Sequence, residues 1–552
     1  MTPHLSRTPL LRSVAILAAG ATLLAACSSS GSSGNSSHGA TTTTTAAGSA
    51  GGGAGKSGGT LTIAVSSDQG TEDPQEAGSN DTIFSARQIV DSLTDQDPTT
   101  GKIVPWLASS WDVSSNATTY TFHLRTDVTF SDGTALTAQV VKDNFDAIPK
   151  LGATAQLAAG YLTGATTTVV DAHTVKVSFP QPNASFLQAT ATHSLGILAD
   201  SSAKASVAQR AKGVIGSGPF VLQKYVPNQE VDLVKRTGYK WGSSVFTKSG
   251  EAYLDKIVYK IVPEAGVRTG SLESGQVDAI GNVGLADEKA LKAAGVKLIS
   301  RANPGVVFNI GINNSRPLFQ DKSVREAISL AIDRASIVSS QLPSGSQPAT
   351  SILSHTTPDY ENLSSDLTYD QAKAKSLLAS AGWTAGSGGI LTKNGTKLSF
   401  TIDWFANFGP SPAVLQLIQQ ELKAVGIDVQ LKEVQIAQLV QIQQSGDFDA
   451  LWGNLTRADP DVVRTVFSAR GTQNNNHRAA EAVDDLLDQQ AATTDQKTRQ
   501  KLVDQAATAL IKEAWSIPVY QLSTTIAAST KVHDLKFEAS SRLDFYDTWI
   551  KG

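Results

Sequence analysis

The stretch spanning residues 397–431 constrains the fold more than any other part of the chain. KLSFTIDWFA, from residue 397, alternates so that Leu398, Phe400, Ile402 and Trp404 share one face, as in a strand. Ser411-Pro412 then reads as a helix N-cap followed by a first-turn proline. Val414, Leu417, Ile418, Leu422 and Val425 recur at helical spacing, Gly426 stops the helix, and IDVQL at 427–431 alternates again. Two parallel strands cannot be joined by a tight turn, so strand, helix and strand within about 35 residues read as a βαβ crossover. A sheet built this way is covered on both faces, which excludes a pure helical bundle and an all-β sandwich. The chain is therefore α/β.

Other segments repeat the theme. KIVYKIV at 256–262 is a strand, 264–275 a helix, and Val277 to Ile280 a second strand. Thr60 to Val65 alternates with Leu61, Ile63 and Val65 on one side, and 119–128 and 175–179 also read as strands, with Ser131-Asp132-Gly133 as turn chemistry. After GSGPF at 216–220, FVLQKYV and EVDLVKR flank a Pro227-Asn228 turn, a hairpin pattern. Residues 321–342 and 497–515 read as long amphipathic helices. The chain has 552 residues, enough for two or three domains with large cores.

The N-terminus carries an address. Arg7 and Arg12 precede VAILAAGATLLAA at 14–26, an apolar run of about 13 residues, too short for a membrane span of roughly 20. Leu24-Ala25-Ala26-Cys27 resembles the lipobox of bacterial lipoproteins, which implies cleavage after residue 26 and a diacylglycerol on Cys27. Cys27 is the sole cysteine, so an intramolecular disulfide is impossible. Residues 28–59 are Ser, Gly, Thr and Ala with three exceptions, a composition expected to be disordered. A flexible coil of roughly 32 residues spans on the order of 30 Å. GGGAGKSGG at 51–59 imitates a phosphate loop, but the first glycine position is Ala50 and a strand, not a helix, follows.

The formal net charge is −4, and loss of Arg7 and Arg12 with the leader makes the mature chain two charges more negative. No run of like charge suggests nucleic acid or a polybasic membrane patch. The eight histidines are scattered without ligand spacing, so no metal or other cofactor is expected. Ser201-Ser202-Ala203-Lys204 matches the first element of a penicillin-interacting serine hydrolase. The remaining elements are missing: Ser131-Asp132-Gly133 ends in the wrong residue and lies upstream, and neither K-T-G nor G-x-S-x-G occurs. The chain is not expected to be an enzyme.

Several segments together resemble family 5 of the extracytoplasmic solute-binding proteins, which serve ATP-binding-cassette (ABC) importers of peptides and nickel. They are LTIAVSSDQGTEDPQ from residue 61, the run from Trp106 to Phe145 that includes TFHLRTDVTFSDGTALTAQ, GSGPF at 216, and FNIGINNSRPLFQDKSVREAISLAIDR at 308–334. YDQAKAKSLLASAGW at 369–383, the βαβ unit and GDFDALWGNLTRADPDVV at 446–463 complete the set. The resemblance implies a two-lobed type II periplasmic-binding-protein fold, a flytrap, with an extra α/β domain inserted in lobe I. Lobe I would be 59–95, 214–305 and 526–552; the extra domain 96–213; lobe II 306–525. The expected partners are a small-molecule or peptide ligand, ABC permease subunits, and the membrane through the lipid anchor. The protein would act as a monomer on the outer face of the bacterial cytoplasmic membrane. A ligand-sensing lipoprotein of the same fold is the alternative the sequence leaves open.

Peptide-binding members of this family carry an aspartate for the ligand's α-ammonium three residues before the acid of the acid–proline pair. Here the pair is Asp459-Pro460, and the matching residue is Thr456, followed by Arg457. A hydroxyl brings no charge, and a charged acceptor makes such a contact roughly twice as strong. A blocked peptide, a sugar-like or an anionic solute suits this pair better than a free dipeptide. Trp404, Phe405 and Phe408 stand at the C-terminal end of a parallel strand, where open α/β sheets bind ligands, although Trp404 also continues its strand's buried face. Asn454, Thr456 and Arg457 follow FDALW as further candidates. Asp459 is a candidate too, or a cap for a helix beginning at Pro460. Asn475 lies in a polar loop with Asn474 and Asn476 that lines the cleft or is merely solvated. Tyr520, near a lobe crossover, and Asp68, in the first loop, complete the candidates.

Overall fold

The parallel unit at 397–431 forms as its pattern dictates. Ser399–Trp404 pairs in parallel with Asp428–Glu433, in register Phe400 with Val429 and Ile402 with Leu431, and helix Ser411–Ala424 crosses between them. Leu398, Phe400 and Ile402 meet Val414, Leu415, Ile418 and Leu422 in one buried cluster. Full burial of each such side chain stabilises by roughly 1.5–3 kcal/mol. Ser411 differs from its expected role. It is the first helical residue and caps nothing; its buried hydroxyl instead accepts the Trp452 indole N–H at 3.2 Å. The computed structural model describes residues 55–405, 409–435, 438–471 and 474–551. The leader, Cys27, the tract through residue 54 and Phe408 lie outside them.

This unit belongs to a six-stranded sheet ordered Gln347–Pro348, Ser516–Gln521, Gly305–Ile312, Ala450–Thr456, Ser399–Trp404 and Asp428–Glu433. A second, seven-stranded sheet runs Lys297–Ala302, Ser523–Ala528, Ala279–Ile280, Thr60–Val65, Lys256–Ile261, Glu230–Lys235 and Phe220–Val226. The chain passes between the sheets twice, at 302–305 and at 521–523. The two crossings are bonded to each other: Asn303 N donates to Leu522 O at 2.7 Å, and Thr524 Oγ1 donates to Asn303 Oδ1 at 2.8 Å. A four-stranded antiparallel sheet of Ala108–Val113, Thr119–Leu124, Thr174–Ser178 and Thr166–Asp171 shares one continuous core with the seven-stranded sheet. The six-stranded sheet has its own cores. The architecture is thus a two-lobed α/β body with chain crossings at one edge.

Two local expectations change. The helix read over 321–342 is two helices, Lys322–Ala331 and Arg334–Gln341. Asp333 breaks it, because its carboxylate accepts Ser336 N at 3.0 Å and caps the second helix. The end of the tract expected to be disordered is packed at 55–59. Gly58 N donates to Tyr253 O at 2.8 Å, and an added Cβ on Gly55 would stand 2.7 Å from the Tyr253 ring. Glycine permits this approach of backbone to aromatic ring.

Candidate functional site

The site is built by the strands of the six-stranded sheet that end near the crossings. Ser399–Trp404 lies parallel to Ala450–Thr456, with Ile402 opposite Ala450 and Asp403 opposite Leu451. Continuing that register brings Phe405 level with Gly453, and its ring stands 3.9 Å from where a Cβ on Gly453 would be. Asn454 to Thr456 extend beyond this parallel partner and are held only on the other side, by Gly305 and Val306. Leu455 packs into the hydrophobic cluster beneath. Strand alternation therefore turns Asn454 and Thr456 the other way, where their side chains come within 3.5 Å of each other. Both are partly buried, as are Trp404, Phe405 and Arg457. Trp404 also packs against its strand's core, as the structural reading of its position expects.

Arg457 turns at the end of the strand. Its backbone N donates to Pro304 O at 3.2 Å, tying it to the first crossing. Its guanidinium lies over the ring of Tyr161, 5.3 Å from the centroid, and its Nε is buried with no hydrogen-bond partner. Tyr161 ends helix Gln156–Tyr161 of the region carrying the four-stranded sheet, and burial raises its hydroxyl pKa while Arg457 and Arg542 oppose that rise. Arg542 approaches from the C-terminal region. Its Nη1 donates to Ser540 O at 2.6 Å, its Nε is buried without a partner, and desolvation lowers its pKa. Ser541 beside it donates to Ala302 O at 2.8 Å.

Three sequence candidates make structural contacts. Tyr520 is fully buried, stacked on Phe308 with ring centroids 4.8 Å apart, so it belongs to the core. Asp459 does not cap a helix at Pro460: the helix is Val462–Phe467. Its carboxylate holds Arg499 by two bonds of 3.0 and 2.5 Å and accepts Asp461 N at 2.8 Å. Asp68 accepts the Tyr225 hydroxyl at 2.9 Å and the backbone N of Asn228 and Gly70, each at 2.8 Å, which pins its loop to the hairpin. The Asn474–Asn476 loop is largely architectural, since Asn476 donates to Ile312 O and Trp515 O. Asn474 and Asn475 are partly buried, each with an unpartnered Oδ1, and the Oδ1 of buried Asn476 is unpartnered as well.

Tyr161, Asn303 and Arg542 were invisible to sequence reasoning. They lie 85 to 296 residues from Arg457 along the chain, and no local spacing marks them. The hydrolase alternative finds no geometry: the Lys204 ammonium is held by Asp143 at 3.1 Å and Asp200 at 2.8 Å on an exposed surface. Among the described residues no group of three or more His, Cys, Asp or Glu side chains is placed to hold a metal ion.

Comparison with known proteins agrees with this architecture. Residues 102–477 match the family model described as bacterial extracellular solute-binding proteins, family 5 Middle. The nickel-binding periplasmic protein of Escherichia coli K12 is 27% identical over 454 residues, covering 79% of this chain and 84% of its own. The oligopeptide-binding protein AppA of Bacillus subtilis 168 is 29% identical over 349 residues, covering 61% of this chain and 62% of its own. Among solved structures, NikA from Brucella suis in complex with Fe(III)-EDTA superposes with a TM-score of 0.77 at 22% identity, over 89% of this chain and 100% of that one. AppA from B. subtilis in complex with a nonapeptide gives 0.71 at 22%, over 90% of this chain and 100% of that one. At that identity the two superpositions speak for the fold alone.

Proposed function

The chain belongs to family 5 of the bacterial extracellular solute-binding proteins, and from that premise we propose that it is the lipid-anchored solute receptor of an ABC importer for a peptide-like solute without a free α-ammonium. It is a binding protein, not an enzyme, and acts outside the cytoplasm. The proposed lobes are 59–95, 214–305 and 526–552 for the first and 306–525 for the second, with 96–213 as an extra domain on the first. An open and a closed arrangement of such lobes differ by a few kcal/mol, and a solute touching both shifts the population to the closed one. The closed form presents the solute to a permease, and ATP is hydrolysed elsewhere. Cys27 would tether the body to the membrane, because two acyl chains hold far better than one.

The observation that carries this reading of the solute is the end of strand Ala450–Thr456. It offers a hydroxyl and a guanidinium, and the acid nearest in sequence, Asp459, is already paired with Arg499. An α-ammonium placed there would meet the Arg457 charge while Asp459 is engaged by Arg499. The test is native mass spectrometry of the purified protein for a co-purified solute, followed by calorimetric titration of Ala-Ala and N-acetyl-Ala-Ala. The blocked peptide is expected to bind at least as tightly as the free one. Tight binding of the free dipeptide, with weak binding of the blocked one, refutes the proposal.

A further inference from the structure

Three donors near the crossings are buried without partners: Arg457 Nε, Arg542 Nε and Asn303 Nδ2, with Asn303 itself only 4% exposed. They are neighbours through the backbone. Pro304 O accepts Arg457 N, and Ala302 O accepts Ser541 Oγ, so Asn303 stands in the chain between the anchor points of the two arginines. The surrounding carboxylates are committed. Glu538 accepts Arg87 at 3.1 Å, and Asp459 holds Arg499. Neither Arg457 nor Arg542 makes an ion pair among the described residues, and the only aromatic partner of Arg457 is Tyr161. Unpaired guanidinium charge in a partly desolvated place is costly, and an anion bound there offsets that cost.

Resting on the reading of the interlobe cleft as the solute site, we propose that Arg457, Arg542 and Asn303, flanked by Tyr161, form an oxyanion site that takes a carboxylate of the transported solute. Arg457 rides on the six-stranded sheet, and Arg542 lies in the C-terminal region that follows the seven-stranded one. An oxyanion shared between them touches both lobes. Guanidinium suits this role because its planar fork matches the two oxygens of a carboxylate.

The test titrates the full mature protein with N-acetyl-Ala-Ala, its C-terminal amide and inorganic phosphate, by calorimetry and by thermal shift against sodium chloride of equal ionic strength. The acid is expected to bind more tightly than the amide. Arg457→Gln and Arg542→Gln are expected to weaken the acid by about 10- to 100-fold and to erase most of its advantage over the amide, as for charge-assisted hydrogen bonds. Arg542→Lys, which keeps the cation, retains most of the preference, and Arg457→Gln, at the end of a strand, carries the test if Arg542→Gln does not fold. Equal binding of acid and amide by the unmodified protein overturns the site while leaving the peptide reading intact. So does an acid preference that survives in the glutamine variants. If neither peptide binds but phosphate stabilises the unmodified protein and not Arg457→Gln, the oxyanion site stands and the peptide reading falls. If phosphate also fails to stabilise the unmodified protein, the site falls.

Discussion

Glu72 gives the sharpest energetic test of the fold. It lies in the loop after the first strand, only 2% exposed, and its carboxylate accepts the Ser85 hydroxyl at 2.5 Å. Burial, with a smaller contribution from the Asp68 charge, pushes the carboxyl up to about 8, against 4.5 for the unperturbed group. Below pH 4.5 both folded and unfolded chains hold the proton, and the stability associated with it is complete. As pH rises from there the unfolded chain ionises while the folded one does not, so stability is lost progressively until about pH 8 and is level above it. One pKa unit corresponds to about 1.36 kcal/mol, which makes the whole loss roughly 5 kcal/mol and its slope about 1.4 kcal/mol per pH unit. Glu72→Gln keeps an acceptor for Ser85 and removes the ionisation. Urea denaturation of both proteins at pH 5, 6, 7 and 8 isolates the effect, because Asp91 and Asp544, also raised by burial, remain in both. The stability advantage of the variant is expected to grow by roughly 3–4 kcal/mol from pH 5 to pH 8. A difference that stays constant with pH refutes the argument.

Two further outcomes can be tested, one from geometry already described and one from the N-terminal sequence. Asp459→Asn breaks an ion pair whose side chains are 11% and 12% exposed. It is expected to cost about 3–5 kcal/mol in urea denaturation and to leave the affinity for N-acetyl-Ala-Ala within a factor of about three; lost affinity without lost stability would make Asp459 a solute contact. Cys27→Ala is expected to move the protein from the membrane fraction to the soluble one and to abolish labelling by palmitate, and unmodified protein already found in the soluble fraction would contradict the tether.

Periodicity made the elements legible where one pattern dominates. The alternation of 398–404 and the helical spacing of 414–425 survive intact, because each strand face and helix stripe has a single neighbour to satisfy. The reading failed where a residue answers to two neighbours. All six residues of Ser516–Gln521 are buried, because that strand lies inside the sheet with both faces covered, so nothing in its sequence could assign Tyr520 to cleft or core. Asp459 precedes a proline and looks like a cap, yet Arg499, forty residues on, claims it; charge pairing across helices leaves no local period. Of the candidate site, Asn454 and Thr456 could be found because they continue the strand that FDALW opens, and Arg457 because it follows that strand's end. Tyr161, Asn303 and Arg542 could not, since tertiary pairing alone brings them near.

The proposed hinge and the candidate site share one backbone feature. Gly305, the first residue of the strand after the crossing, has φ of 106°, a conformation that side chains rarely adopt. A Cβ there would strike Leu455 O and stand 2.6 Å from Arg457 N. The crossing therefore lies directly against the turn that aims Arg457, without room for independent adjustment. Arg542 is tied to the same crossing three residues earlier, through Ser541 and Ala302. Rotation of the lobes about 302–305 and 521–523 must then alter the relation of the two guanidiniums, and an anion that needs both will bind the two arrangements unequally. That inequality is the whole of what a solute can contribute to closure: driving the population from 1:99 to 99:1 requires about a 10⁴-fold preference for the closed form. Two charge-assisted contacts formed only on closure supply differences of that order. A neutral solute held by Thr456 and Asn454 alone would lack them.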